Sequence, residues 1–416
     1  MRKTARLTIL LLFVLTCLIP AAKAIVPQQI YGSSVDGTIT TAIIPPCSTF
    51  NYAIDATLTF GLFGDTPVIN QTVVDTSVRA DRIGYLVTRN NTNSTEVWVY
   101  AFNAVTMALL SSVQLQAFGQ LDYTNGKAAV VYNNDLYLLR IINGGRLGCT
   151  PARNCMSLTK IDSSGSISVG ATVDLNPSIT TQTVSDLYSD GTGRLYVGLG
   201  DGVNRRVAIF HAPSQAYIGI SGALVGGSIF FAYNPFSATY AFAGFQNSTT
   251  VMRFPAGTTT ADATSTYTFS SFNTLNGLSV NETSNYLLGG STTFGGIAAN
   301  MGYKDFDLVN NAATLSYLNA ADGSQIIGGL YYDTSNNKLH SIRVDGGSGA
   351  FTLIRSTVNP LTIEQRFSLS PTLWAGQYRT YDYVQSTQRF YFGVTQGLTT
   401  GVVTRVKVCA TGGPAA

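Results

Sequence analysis

DLYSDGTGRLYVGLGDG, residues 186–202, is the stretch that decides the fold. Short apolar and aromatic runs at Leu187-Tyr188 and Leu195–Leu199 flank a Ser-Asp-Gly-Thr-Gly turn, the pattern of a β-hairpin. The glycines at 198, 200 and 202 invite comparison with phosphate loops. Such loops lead into a helix whose first amides hold the phosphate, with G-x-G-x-x-G or G-x-x-x-x-G-K-[ST] spacing. Here VNRRVAIF (203–210) follows, which reads as a strand. Gly198 and Gly200 therefore read as a strand pressed between neighbouring sheets, and Asp201-Gly202 as the next turn.

The same frame recurs along the chain. GLYYDTSNNKLHSIRVDG (329–346) and YDYVQSTQRFYFGVTQG (381–397) repeat it closely, and RADRIGYLVTR, VVYNNDLYLLRI, FAYNPFSATYAFAGF and LSVNETSNYLLGG repeat it more loosely. The second strand of each copy carries a marker aromatic: Tyr85, Tyr137, Tyr196, Tyr240, Tyr286, His340 and Tyr391, spaced by 52, 59, 44, 46, 54 and 51 residues. A third strand follows each marker strand (VWVYAF, RVAIFH, VMRFP, AFTLIR), and then a fourth (YIGISGAL, IEQRFSLS). Seven units of four strands resemble the blades of a seven-bladed β-propeller. Neither the Trp-Asp signature of WD40 blades nor the kelch pattern is present, so the resemblance is to an architecture. The expected fold class is all-β, a ring of four-stranded antiparallel blades.

Closure of such a ring needs one more strand. The seventh repeat has three, in QYRTYDYV, RFYFGVT and VVTRVKV, and NYAIDATLTF (51–60) would complete it from the amino end. In that arrangement Cys409 and Cys47 fall where the missing hairpin turn would be, and a Cys47–Cys409 disulfide would replace it. Cys149 and Cys155 bracket CTPARNC and form the expected local pair.

Residues 1–24 have the pattern of a secretory signal peptide: Arg2, Lys3 and Arg6, an apolar run, then Ala22-Lys23-Ala24. The expected organisation is an extension over 25–46, one propeller domain over 47–409 and a tail over 410–416, in a secreted, extracellular protein. The leader holds four of the 25 basic residues and no acidic one, leaving 21 basic against 22 acidic residues. A balance of −1 gives no electrostatic footprint for nucleic acid. No later stretch is long enough for membrane insertion.

No residue constellation names a reaction. First strands line a propeller's channel, and the carboxylate and amide candidates there are Asp186, Asn276 and Asp382, which a lactonase-like hydrolase would use with a bound calcium ion. Asp162, Asp190 and Asp333 sit in turn sequences and read as side chains that bond their own backbone. His340 occupies a slot that holds Tyr elsewhere and reads as packing. On the link into the seventh repeat, Trp374, Tyr378 and Arg379 could stack on a sugar or anchor a protein. Asn70, Asn90, Asn93, Asn247 and Asn281 head glycosylation sequons, with Asn90, Asn93 and Asn247 expected in exposed turns. The leading expectation is a recognition or structural module with a protein or carbohydrate partner. Its alternatives are the hydrolase and a subunit of an extracellular matrix or filament.

Overall fold

The computed structural model describes residues 37–40, 52–62, 71–79, 82–90, 97–115, 129–142, 149, 155–174, 183–200, 204–224, 226–232, 240–245, 248–255, 265–269, 275, 277–281, 285–292, 299–306, 315–317, 326–344, 351–358, 362–369, 380–396 and 400–409. Contacts divide the chain into Met1–Tyr31 and Gly32–Ala416, and all described residues belong to the second unit. Among them, no helix is long and apolar enough to cross a membrane.

The strands, numbered along the chain, form seven antiparallel sheets. Before the first complete sheet come β1 (Gly37–Thr40) and β2 (Tyr52–Gly61). Blade 1 is β3 (Gln71–Arg79), β4 (Ile83–Asn90), β5 (Val97–Asn103) and β6 (Leu109–Leu115). Blade 2 is β7 (Ala129–Tyr132), β8 (Asp135–Ile142), β9 (Cys155–Ile161) and a split outer strand, β10 (Ile167–Val169) and β11 (Val173–Asp174). Blade 3 is β12 (Thr183–Ser189), β13 (Arg194–Gly200), β14 (Arg205–His211) and β15 (Ala216–Ile220). Blade 4 is β16 (Ile229–Phe231), β17 (Tyr240–Phe245), β18 (Thr250–Pro255) and β19 (Ser265–Thr268). Blade 5 is β20 (Gly277–Asn281), β21 (Tyr286–Thr292), β22 (Ala299–Asp305) and β23 (Leu315–Tyr317). Blade 6 is β24 (Ile326–Asp333), β25 (Lys338–Val344), β26 (Phe351–Thr357) and β27 (Thr362–Ser368). Blade 7 is β28 (Tyr381–Val384), β29 (Arg389–Gln396) and β30 (Thr400–Val408), completed by β2 and then β1. The first strands β3, β7, β12, β16, β20 and β24 pack side by side in turn, and β28 packs on β3. The chain is a seven-bladed β-propeller.

Sandwiching between blades explains the composition of the second strands. In β13 six of seven residues are buried, so apolar and small residues run on without the alternation of a half-solvated strand. A Cβ added at Gly198 would lie 2.8 Å from Cβ of Ile229 in the next blade and 2.8 Å from Oγ of Ser185, which is why this position is glycine. The marker aromatics face blade boundaries. Tyr85 donates its hydroxyl to the carbonyl of Asn134 in blade 2 at 2.6 Å, and Tyr391 donates to Ala104 in blade 1 at 3.1 Å. Asn133 and Asn134 hold φ of 49° and 66° in the two-residue turn between β7 and β8, the left-handed backbone that such hairpins need.

The seventh blade joins the two ends of the propeller. β2 pairs with β30 from Tyr52 opposite Val408 to Gly61 opposite Thr400, as the strand pattern of 51–60 predicts. A bulge between Ile54 and Ala56 turns Asp55 inward. The Asp55 carboxylate, buried in the sheet, accepts Nε of Arg405 at 2.7 Å on one oxygen and Nε of Arg389 at 3.1 Å on the other. Arg405 also donates Nη1 to the carbonyls of Ala104 and Val105, so the clamp extends into the β5–β6 turn of blade 1. Cys409 is buried and disulfide-bonded, while its expected partner Cys47 lies outside the described residues. Cys149 and Cys155 form the expected local disulfide, with Cα atoms 5.7 Å apart.

One strand was not anticipated. β1 lies in the segment expected to be an extension, and it pairs with β2 from Gly37 opposite Phe60 to Thr40 opposite Thr57. Blade 7 therefore has five strands, because its outer strand would otherwise present an unpaired edge that a short, β-branched segment nearby in sequence can cover. Breaking the clamp leaves two arginines without their buried carboxylate. Asp55→Ala should lower the unfolding free energy by about 3 to 5 kcal/mol, measured by denaturant unfolding beside the parent chain.

Candidate functional site

The first strands carry a belt of polar side chains, and the two described channel candidates belong to it. Asp186 lies on β12, beside the bulge between Val184 and Asp186. One of its oxygens accepts the amide of Leu187 at 3.0 Å, and the other accepts the amide of Phe231, on β16 of the next blade, at 2.7 Å. Asp382 on β28 repeats the arrangement: it accepts Tyr383 N at 2.9 Å and, across the boundary to blade 1, Val78 N at 2.8 Å. Serines perform the same linkage elsewhere. Ser77 donates to Ala129 O at 2.9 Å between blades 1 and 2, Ser185 accepts Ile229 N at 3.2 Å, and Ser279 accepts Tyr332 N at 2.9 Å between blades 5 and 6.

These carboxylates thus have backbone amides where a hydrolase would hold metal or water. Charged acceptors bind amides about twice as strongly as neutral ones, so each is a strong inter-blade staple. Asp186 staples blade 3 to blade 4 and Asp382 staples blade 7 to blade 1. Asn276 lies outside the described residues. Among the described residues, no three His, Cys, Asp or Glu side chains gather as a metal site.

The turn aspartates behave as their sequences suggest. Asp162 accepts the hydroxyl and amide of Ser164 and the amide of Ser166, and the Ser164 hydroxyl leads in holding its carboxyl below the usual range. Asp190 accepts Thr192 N, Thr192 Oγ1 and Arg194 N, closing the turn that precedes β13. Asp333 accepts from Ser335 and Asn336 within its turn and from Gln385 and Gln388 of blade 7. His211 is exposed at the end of β14, with Nδ1 2.8 Å from Oγ of Ser214. His340 is fully buried, as a packing residue should be, with Nδ1 2.7 Å from the hydroxyl of Tyr52.

Two sequon asparagines are buried, one of them expected in an exposed turn. Asn90 ends strand β4 and is 8% exposed, so it is not in an exposed turn. β4 runs to its last residue in register with Gln71 of β3, which draws Asn90 into the sheet. Asn281 ends β20 at 2% exposure, beside the Tyr332 hydroxyl. Asn70, Asn93, Asn247, Trp374, Tyr378 and Arg379 lie outside the described residues.

One connection differs from its six counterparts. Second and third strands are joined by three to six residues in the other blades, but by the 12 residues 143–154 in blade 2, between β8 and β9. This segment, NGGRLGCTPARN, contains Arg146 and Arg153 and no acidic residue. The Cys149–Cys155 disulfide ties it to the first residue of β9, and both cysteines are buried. Long connections between strands are where scaffolds commonly carry binding residues.

No protein-family model matches the chain, and no curated protein matches it in sequence. Similar solved structures include a candidate 6-phosphogluconolactonase of Bacteroides fragilis, 11% identical over 80% of this chain and 90% of that one, with a TM-score of 0.50. A second, from Bacteroides uniformis, is 11% identical over 78% of this chain and 90% of its own, also at 0.50. A Lactobacillus plantarum protein is 12% identical over 80% and 96%, at 0.50. At these identities the likeness is one of fold.

Two substitutions test the structural assignment of these residues. Asp186→Ala should cost about 1.5 to 3 kcal/mol, with Asp186→Asn intermediate because its amide keeps one acceptor, as read from thermal unfolding. Gly198→Ala should cost about 1 to 3 kcal/mol through overpacking against Ile229, and equal melting temperatures for variant and parent would contradict the inter-blade placement.

Proposed function

We propose that the protein is an exported recognition module that binds a protein partner through the disulfide-braced connection of blade 2. The observation that carries this reading is the length, bracing and charge of residues 143–154, set on a ring in which Asp186 and Asp382 are engaged in holding blades together. The disulfide limits the conformations of the free segment, so less ordering is needed on binding. Arg146 and Arg153, with no acidic neighbour in the segment, suit a partner surface that presents carboxylates.

The engagement of Asp186 and Asp382 by backbone amides weighs against a hydrolase that draws on them. Affinity capture from an extracellular fraction, with the oxidised chain as bait, should recover a partner whose retention falls at least tenfold with Arg146→Ala/Arg153→Ala and weakens with added salt. A glycan array and an assay with 6-phosphogluconolactone run beside it. Partner retention unaffected by the double substitution, selective glycan binding without a protein partner, or lactone turnover would each overturn the reading.

A further inference from the structure

His340 is the one marker position occupied by a titratable imidazole, and it sits where the amino-terminal strand meets blade 6. Tyr52, the first residue of β2, places its hydroxyl 2.7 Å from Nδ1, and its ring lies 5.8 Å from the imidazole and 5.9 Å from Phe367 of β27. Tyr383 of β28 and Phe390 of β29 enclose the imidazole at 5.4 and 5.5 Å. Its Nε2 is buried and makes no hydrogen bond to the described residues. In this setting the neutral ring makes its hydrogen bond through Nδ1, and a net charge on the imidazole would sit among aromatic rings.

The charged groups around it are already engaged. Asp333, at the end of β24, accepts from Ser335, Asn336, Gln385 and Gln388. Glu364 of β27 bonds Lys338 of β25 and, at 3.0 Å, Nε of Arg355 on β26. Asp333 and Glu364 favour a charge on the imidazole, Arg355 and Lys338 oppose it, and β2 and β28 contribute the rings of Tyr52 and Tyr383. Burial outweighs the rest and pushes the imidazole from its ordinary 6.5 down to about 4.

We propose that the Tyr52–His340 contact is an acid-sensitive latch on the amino-terminal strand, and that protonation of His340 frees β2 from blade 6 while blades 1 to 5 stay closed. Because the folded value lies below the open value, the closed state has its full advantage above pH 6.5 and loses it progressively as pH falls towards 4. The other six repeats carry tyrosine at the marker position, so the imidazole is a feature of this one boundary.

Hydrogen exchange followed by mass spectrometry on the full, oxidised chain tests the latch. After correction for intrinsic rates, the open population of peptides covering 52–61 should rise roughly seventy-fold between pH 7.5 and 4.5, with β13 of blade 3 unchanged. His340→Phe should abolish that rise. Tyr52→Phe serves where that variant does not fold: it should raise opening of β2 at every pH while keeping the acid dependence. A rise shared equally by β13, a rise that persists in His340→Phe, or no rise in the parent chain would overturn the proposal.

Discussion

The propeller depends on a constraint imposed at its seam. Strands β2 and β30 belong to opposite ends of the chain, and the Asp55–Arg405 contact spans 350 residues. Joining such distant segments carries a loop-closure entropy cost that local hairpins do not. The seam is correspondingly reinforced, by nine register pairs between β2 and β30, by one carboxylate shared between two arginines, and by an arginine that reaches on into blade 1. A buried ion pair is weak evidence for stability by itself, since hydrophobic replacements of similar volume often do as well. Its value here is in register: a one-residue slip of β2 would take Asp55 out of its bulge and away from both guanidinium groups.

Ring closure also constrains where chemistry can sit. First strands converge, and their backbone groups need partners across boundaries where no continuous sheet supplies them. Ser77, Ser185, Asp186, Ser279 and Asp382 meet that need. Polar residues near the channel are therefore what a stable ring requires, and their presence is no evidence of catalysis. The connections between strands carry no such duty and vary freely, which is why blade 2 can hold a 12-residue segment without altering its sheet register.

Much of the architecture is legible in the residues because blade packing is repetitive. A marker aromatic followed by small and β-branched residues recurs wherever a second strand lies between two blades, so Tyr85, Tyr196 and Tyr391 can be aligned without any relative to compare. The completion of blade 7 by residues 51–60 follows from counting strands. Less legible are features that depend on contacts between distant strands. Nothing around Asp55 marks it as the partner of Arg389 and Arg405, and Asp186 looks the same in sequence whether it faces a metal or the amide of Phe231. Asn90 reads as a turn residue because Thr-Arg-Asn-Asn-Thr-Asn is polar throughout, yet the β3–β4 register extends far enough to bury it. Bulges and strand ends are set by tertiary pairing, so exposure at those positions does not follow from composition.

The exception among the markers bears on how the ring can be strong and yet locally responsive. Six boundaries carry tyrosine, whose hydroxyl can donate across to the neighbouring blade, as Tyr85 and Tyr391 do. At His340 the ring belongs to blade 6, and the hydroxyl that bonds it comes from Tyr52 of the amino-terminal strand. The pairing keeps an aromatic contact and a buried hydrogen bond, but makes both depend on the charge state of His340. Stability in a repeat ring is distributed over boundaries, each holding its own neighbours. A titratable group at one boundary therefore weakens that boundary without lowering protection elsewhere, and the strand it holds is the one whose departure leaves six complete four-stranded blades.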